Sequence, residues 1–252
     1  MAKKGGKPLY VKSAVKQLVG DFRVSADFWD ALNERIEWKI KRAIERAKTN
    51  GRKTVRGADL WMKVIGITGT LASGKTTVKD FFLSRFSSSF VSLSDIIKEE
   101  LAKEDKELKR ENLIKKGNEL RKRYGNQILV EVATLTLPGK NEKKVLIIEG
   151  IRNPGEVEYL RKKFGKDFIL IAVDAPKEIR FKRLLERGKE GDPKTFEEFL
   201  KMEEVDLGKN QPEYGQKVEE CLKLADYLII NDGSIDELNK KVEEISKAIL
   251  SS

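Results

Sequence analysis

The chain has 252 residues, of which 37% are charged, and a net charge of +10. It contains no histidine and a single cysteine, Cys221. This composition excludes an internal disulfide, histidine-based nucleophilic catalysis and histidine-ligated metals, so any bound metal should be a hard cation on oxygen ligands. No apolar run approaches the roughly 20 residues of a membrane span. The sequence therefore predicts a cytoplasmic protein, with Cys221 as a small core residue.

Positive charge is concentrated at the start of the chain. Residues 1–61 hold fifteen Lys and Arg against seven Asp and Glu, a net +8, whereas residues 62–252 carry only +2. Such an asymmetry favours an anionic partner for the first segment, most often nucleic acid, which would associate the protein with the nucleoid. A basic surface that is merely solvated is the alternative.

Two helices are predicted in this first segment. The first runs from Tyr10 to Val19 and is stopped by Gly20. The second covers residues 25–49, with Ser25 as its N-cap and an apolar stripe whose members recur mostly at steps of four. A narrow stripe on so isolated a helix favours a homodimer in which two long helices cross. The alternative is that the stripe packs on the rest of the chain.

Several pieces of residues 8–60 resemble the short archaeal histone-fold proteins related to CBF/NF-Y subunits. The matching pieces are Leu9-Tyr10-Val11-Lys12-Ser13, Arg23-Val24-Ser25-x-Asp27-Phe28-x-x-Ala31-Leu32-Asn33 and Ala43-Ile44-x-Arg46-Ala47-x-x-Asn50-Gly51-Arg52-Lys53-Thr54-Val55. The resemblance implies dimerisation through the long helix and contact with double-stranded DNA. By position, the phosphate contacts would come from Arg23, Arg52, Lys53 and Thr54. The sequence thus predicts a domain boundary that separates residues 1–61 from residues 62–252.

The second segment opens on a glycine-rich loop between a strand and a helix. The run Lys63–Thr68 predicts a buried strand, the next eight residues read G-x-x-x-x-G-K-T, and a helix follows. In this context the loop's N–H groups cradle phosphates, Lys75 reaches the β and γ phosphates, and the Thr76 hydroxyl holds Mg²⁺. The predicted nucleotide-binding residues are Gly69, Thr70, Leu71, Ala72, Ser73, Gly74, Lys75, Thr76 and Thr77.

Short apolar runs alternate with helical stretches from Lys63 onward, which predicts an α/β fold with a parallel sheet and helices on both faces. The predicted strands are Val64–Thr68, Ser89–Ser92, Val145–Glu149, Phe168–Val173 and Tyr227–Asn231. Ligands bind such sheets at the carboxyl ends of the strands.

Two acidic residues follow predicted strands and are candidates for the metal. Asp95 could order Mg²⁺ water or accept a hydroxyl proton, and an N-cap role is its alternative. Glu149 ends four apolar residues, a Walker B pattern, and would act on Mg²⁺ through water. The attached Gly150-Ile151-Arg152 would bring an arginine to the phosphate acceptor.

Arginines and one asparagine complete the predicted site. Arg180, Arg183 and Arg187 recur at helical spacing, so one helix face could neutralise charge that develops during phosphoryl transfer. Arg121 could reach a substrate anion, with a surface position as the alternative. Asn231 ends the last predicted strand, in a loop that would lie near the adenine, and residues 188–194 have the composition of a mobile lid.

Residues 62–250 resemble archaeal P-loop kinases akin to dephospho-CoA kinase and nucleotide kinases. The resemblance rests on G-I-T-G-x-x-x-S-G-K-T at 66–76, S-D at 94–95, E-G-I-R at 149–152, D-A-P-x-x-x-R-x-x-R-L-x-x-R-G at 174–188, D-P-K-T-F-E-E-F at 192–199 and A-D-Y-x-I-x-N-D-G at 225–233.

This second resemblance implies a nucleoside monophosphate kinase-like fold behind a small all-α histone-fold-like domain. It also implies ATP- and Mg²⁺-dependent phosphoryl transfer to a small acceptor such as a nucleoside monophosphate or dephospho-CoA. The catalytic residues would be Lys75, Asp95, Arg152 and Arg187. The chain departs from the family at Phe199–Glu204, which lacks an expected arginine and aspartate, and at Lys189, where an arginine is usual. The competing hypothesis is a DNA-associated switch or scaffold governed by nucleotide binding.

Overall fold

The computed structural model describes residues 8–49, 53–55, 63–135 and 145–251. The chain divides into two compact units, Met1–Trp61 and Met62–Ser252. Within the described ranges, no helix has the length and apolar character needed to cross a membrane.

The first unit contains helix α1, Lys12–Val19, and helix α2, Ala26–Thr49. The segment before α1 is tied to α2 because Tyr10 stacks on Trp29, with ring centroids 5.5 Å apart, and its hydroxyl donates to the Trp29 carbonyl at 3.1 Å. The Leu9 N–H also donates to Asn33 Oδ1 at 2.8 Å. Both helices lie where the apolar spacing predicts them, but a histone fold is not shown by the residues described in this unit.

The apolar stripe of α2 is only partly covered. Ala43 and Ala47 are buried, whereas Phe28, Ile40 and Ile44 remain more than a third exposed. The homodimer predicted from this stripe is untested and stays a prediction.

Of the four predicted DNA contacts, three lie in the described ranges. Arg23, Lys53 and Thr54 are exposed, and Arg52 lies outside the described residues. DNA binding itself stays a prediction.

The second unit is built on a five-stranded, wholly parallel sheet with the strand order β2-β3-β1-β4-β5. The strands are β1 Lys63–Gly69, β2 Ser88–Ser92, β3 Val145–Glu149, β4 Phe168–Asp174 and β5 Tyr227–Ile230. The helices are α3 Lys75–Arg85, α4 Leu93–Lys103, α5 Arg110–Tyr124, α6 Ile128–Leu135, α7 Pro154–Phe164, α8 Lys177–Arg187, α9 Phe196–Leu207, α10 Val218–Lys223 and α11 Ile235–Ser251. The predicted α/β class and all five predicted strands are confirmed.

Alternation along the buried strands divides the core between the two faces of the sheet. One face packs residues such as Leu146 and Ile148 against α4, α6 and α7, and Cys221 is buried there as predicted. The other face packs Ile65 and Ile147 against α3 and α11. Helices on both faces account for the near-continuous apolar character of β1, β3 and β4.

The strand register brings the candidate residues to one edge of the sheet. Ile67 of β1 lies opposite Glu149 of β3, and Gly69 of β1 lies opposite Val173 of β4. Because parallel strands end at a common edge, the glycine-rich loop, Glu149 and Asp174 gather there, where ligands bind in open α/β sheets.

Candidate functional site

The loop between β1 and α3 needs glycine at two positions. Gly69 has φ of 145° and Gly74 has φ of 105°, both disfavoured for residues with a side chain. A Cβ on Gly69 would overlap the Val173 carbonyl oxygen, and a Cβ on Gly74 would overlap Asn231 Nδ2. β4 and the residue that follows β5 therefore pack directly against the loop and leave no room for a side chain at either glycine.

Lys75 opens α3 and bends back over the loop. Its Nζ donates to the Gly69 carbonyl at 3.0 Å and to the Thr70 carbonyl at 2.6 Å. Burial lowers the pKa of Lys75 to about 7, and the positive charge of nearby Arg152 acts in the same direction. An anion bound beside this ammonium would favour its charged form. The contact of Lys75 with a phosphate group stays a prediction.

The loop is braced from strands β4 and β5. The Thr70 hydroxyl donates to Asp174 Oδ1 at 2.6 Å, and Asn231 Nδ2 donates to the Ser73 carbonyl at 2.8 Å. Arg183 donates to the Asn231 carbonyl at 3.1 Å. Asn231 and Arg183, predicted to contact the nucleotide, lie against backbone carbonyls at or beside the loop. Their direct contact with a nucleotide stays a prediction.

The three arginines expected on one face of α8 have different partners. Arg180 is buried, forms an ion pair with Glu203 of α9, and donates from Nε to the Ala175 carbonyl at 2.7 Å. Arg187 is partly exposed and binds Asp192, with Nε and Oδ2 2.8 Å apart. The Arg187–Asp192 pair ties residues 188–194, the segment predicted to be a lid, to the end of α8. Movement of this lid stays a prediction.

The predicted Mg²⁺ residues are spread along the edge of the sheet. Glu149 ends β3 and is half-buried, and its side chain has no hydrogen bond or ion pair within the described ranges. Asp95 lies in the first turn of α4 and pairs with Lys98 at 2.7 Å, and its side chain is 55% exposed. Ser92, not Asp95, is the N-cap of α4.

No cluster of three or more acidic, Cys or His residues suited to a metal occurs in the described ranges. Mg²⁺ in phosphate-binding sites is usually held by one or two protein groups together with phosphates and water. The metal roles of Thr76, Asp95 and Glu149 stay predictions.

A pocket of about 470 Å³, counted with the space open to solvent, is lined by α4, α5, α6 and the segment after β3. Its apolar wall is formed by Leu93, Ile97, Leu113, Ile114 and Leu129. Its polar lining is formed by Ser94, Arg110, Arg121, Arg152 and Gln216. An apolar wall with three guanidiniums suits a small molecule that has both an apolar part and an anionic group.

Arg121 is fixed in a buried ion pair with Glu156 of α7. Its Nε and Nη2 donate to Glu156 Oε1 at 3.0 and 2.8 Å. The other carboxylate oxygen accepts from the N–H groups of Arg152 and Asn153 at 2.7 and 3.1 Å. Arg121 is 2% exposed, so the surface alternative is wrong. Arg121 also lines the pocket, and its contact with a substrate stays a prediction.

Glu156 was not among the sequence-predicted residues. A signal was available, because Asn153-Pro154-x-Glu156 is the pattern of a capping box at the start of α7. That pattern predicts the bond of Glu156 to the N-cap, but not its pairing with an arginine on a distant helix.

Arg152 is held above the pocket by two polar partners. Its Nη1 donates to Gln216 Oε1 at 3.0 Å and to Asp206 Oδ1 at 3.4 Å. Asp206, on α9, also accepts from Arg110 Nη2 at 2.5 Å. Burial lowers the pKa of Arg152. Arg110 and Asp206 were also missed, since neither follows a strand nor forms part of a motif.

Buried polar atoms without a hydrogen-bond partner occur in the glycine-rich loop and in α5. In the described ranges they are Ser73 Oγ in the loop, and Arg110 Nε and Asn118 Oδ1 in α5. An unpaired buried polar atom costs about 1–3 kcal/mol, so a native protein retains it where a ligand or water completes the bond. The unpaired Ser73 hydroxyl and the loop shape fit a bound phosphate chain.

Comparison with known proteins identifies the family. Residues 65–206 match the model of the family described as "AAA domain". A UPF0200 protein of Thermococcus onnurineus is 33% identical over 189 residues, which cover 74% of this chain and 98% of that protein. The chain belongs to the UPF0200 family.

Other matches agree in extent. A UPF0200 protein of Pyrococcus horikoshii is 34% identical over 193 residues, which cover 75% of this chain and 98% of the relative. Among solved structures, a shikimate kinase of Bacteroides thetaiotaomicron matches with a TM-score of 0.45 at 19% identity. That match covers 74% of this chain and 99% of the kinase.

Substituting Gly69 by alanine tests the shape of the loop. We expect a loss of about 3 kcal/mol in the free energy of unfolding, because the new Cβ would overlap the Val173 carbonyl at a strained φ. Urea unfolding followed by circular dichroism measures it. Gly165→Ala is the matched control: its φ is 54° and its Cβ would meet nothing within 4 Å. There, only strain of roughly 1–2 kcal/mol should appear. Equal losses in both variants would contradict the predicted overlap.

Proposed function

We propose that this protein is a small-molecule kinase, which transfers a phosphoryl group from ATP, with Mg²⁺, to a small anionic acceptor. The observation that carries the proposal is the adjacency of two anion sites. Gly150 and Arg152 line the pocket, and the same segment meets the end of β1 directly before the loop, where the Thr68 hydroxyl donates to the Ile151 carbonyl at 2.8 Å. Burial and the charge of Arg152 lower the pKa of Lys75 in the loop. A donor site next to an acceptor site is what direct transfer between two bound molecules requires.

The loop would hold the triphosphate, with Lys75 on its outer phosphates and Thr76 on Mg²⁺. Bound MgATP supplies the phosphoryl group that a hydroxyl of the acceptor receives. The chain's residues supply position and charge: Arg152, which lines the pocket, would bind the acceptor, and Glu149 would orient water around the metal. Arg187, once free of Asp192, would stabilise the transferring group.

The acceptor hydroxyl must lose a proton, and Asp95 is the candidate base. It directly follows Ser94, which lines the pocket. Its present partner is Lys98, and this exposed pair is worth at most about 1 kcal/mol, so it can open at little cost. Ser94 itself could hold the acceptor hydroxyl, since its Oγ lies 3.0 Å from Ser92 Oγ in a short chain of hydroxyls.

A panel of acceptors tests this proposal. Nucleoside monophosphates and dephospho-CoA, each supplied with ATP and Mg²⁺, should reveal at least one acceptor that is phosphorylated with turnover, as ADP release and mass spectrometry would show. ATP binding without transfer to any acceptor, altered by added duplex DNA, would instead favour the nucleotide-dependent switch.

For the first unit we propose dimerisation through α2 and contact with duplex DNA, supported by the +8 charge of residues 1–61 and the half-exposed stripe of α2. Binding of the full chain to duplex DNA should weaken steeply as salt increases, because it would rest on phosphate contacts. A full-length protein that is monomeric and does not shift DNA at low salt would remove this proposal and leave the kinase proposal intact.

A further inference from the structure

One face of α9 carries two buried carboxylates that point to different sites. Glu203 is 2% exposed and pairs with Arg180, whose Nη1 lies 3.5 Å from the Leu71 carbonyl of the phosphate-binding loop. Asp206 is 4% exposed and pairs with the pocket arginines Arg110 and Arg152. Residues three apart share a helix face, so α9 contacts both sites at once.

Asp206 pairs with two of the pocket arginines that an anionic ligand of the pocket would be expected to bind. Its two oxygens are divided between two arginines, 2.5 Å from Arg110 Nη2 and 3.4 Å from Arg152 Nη1. The arrangement is nevertheless incomplete, since the buried Nε of Arg110 has no partner in the described ranges. A single carboxylate thus leaves part of the guanidinium hydrogen-bonding capacity unused.

Charge balance around the pocket points the same way. Three guanidiniums, Arg110, Arg121 and Arg152, face two carboxylates, Glu156 and Asp206, which leaves one net positive charge. Glu156 cannot leave, because both its oxygens are taken up by Arg121 and by backbone N–H groups. Departure of Asp206 would raise the net charge to two, which matches the charge of roughly −1.5 to −2 on a phosphomonoester at neutral pH.

We infer that Asp206 is a built-in competitor of the acceptor: it holds Arg110 and Arg152 until a phosphomonoester group displaces it, and its release frees the end of α9. The inference rests on the proposed function in that the pocket is the acceptor site. It assigns Asp206 a role in specificity and regulation. An acceptor whose anionic group carries a single charge would exchange one carboxylate for another and gain little.

The test measures the affinity of the full-length protein for inorganic phosphate from the broadening of the ³¹P NMR line. The titrations use a Lys75→Ala background, so that phosphate bound at the loop does not contribute. Asp206→Asn should tighten phosphate binding at least tenfold. Glu204→Gln makes the same charge change on the same helix, at an exposed residue paired with Lys209, and should leave the affinity unchanged. Weaker or unchanged binding in Asp206→Asn would overturn the inference and would assign Asp206 to holding the arginines in place.

A second measurement keeps the inference testable if Asp206→Asn does not fold. Phosphate added to the Lys75→Ala protein should accelerate amide hydrogen exchange at the end of α9, residues 205–207, and leave the turn around Glu203 protected. Unchanged or slower exchange at that end of the helix would refute displacement. Neither measurement contains ATP or scores transfer, so a failed acceptor panel and a failed displacement are separate results.

Discussion

Replacing Lys75 by alanine is expected to reduce phosphoryl transfer about 10²- to 10³-fold, the usual effect of deleting one preorganised charge or donor at the reacting group. In the structure the ammonium lies against the loop's own Gly69 and Thr70 carbonyls and within the field of Arg152. Steady-state ADP release with the acceptor identified by the panel measures the effect.

The Lys75→Ala protein should stay folded. Without the lysine side chain, water can donate to the Gly69 and Thr70 carbonyls, so the melting temperature should change little. Lys103→Ala is the matched control, since Lys103 is an exposed lysine paired with Glu100 on the surface of α4. Turnover of Lys75→Ala within tenfold of the parent would show that the loop is not the donor site.

Replacing Glu156 by glutamine is expected to be the most destabilising of these changes. Arg121 would keep its charge inside the protein without a partner, and the new amide would present N–H groups to existing donors. Breaking a buried pair in this way costs about 3–5 kcal/mol. For a domain of this size the melting temperature should fall by roughly 6–20 °C.

Differential scanning calorimetry measures this change, with Glu158→Gln as its control. Glu158 lies on the same helix and is exposed, so its substitution should stay within about 0.5 kcal/mol of the parent. If both variants melt together, the Arg121–Glu156 pair does not stabilise the pocket as its geometry indicates.

The sheet and the loop could be read from the sequence because each rests on local patterns. Short runs of four to six residues predicted all five strands, and the spacing of Gly69, Gly74 and Lys75 predicted the loop at its sheet edge. The residues that give the loop its shape were harder to identify. The sequence predicts that Asn231 lies near the adenine. In the structure its side chain donates to the Ser73 carbonyl, 158 residues away, and no local sequence pattern predicts such a contact.

The acceptor side was predictable only in part. Arg121 and Arg152 follow recognisable features and were found, whereas Arg110 and Asp206 were not. Their pairing joins α5 to α9 across 96 residues, and neither segment has a motif. Charged residues are also so frequent in this chain that one buried aspartate does not stand out from its exposed neighbours.

The brace of the loop has a consequence for how the protein is made on the ribosome. Asn231, which donates to the Ser73 carbonyl and also accepts from Arg183 on its own carbonyl, is synthesised 158 residues after Ser73. Domains generally fold as units, so a binding site that depends on the last strand of a sheet should form only once that strand is available. A growing chain should therefore remain unable to retain ATP until β5 has left the exit tunnel, which stalled chains of increasing length would reveal by an abrupt gain of nucleotide binding.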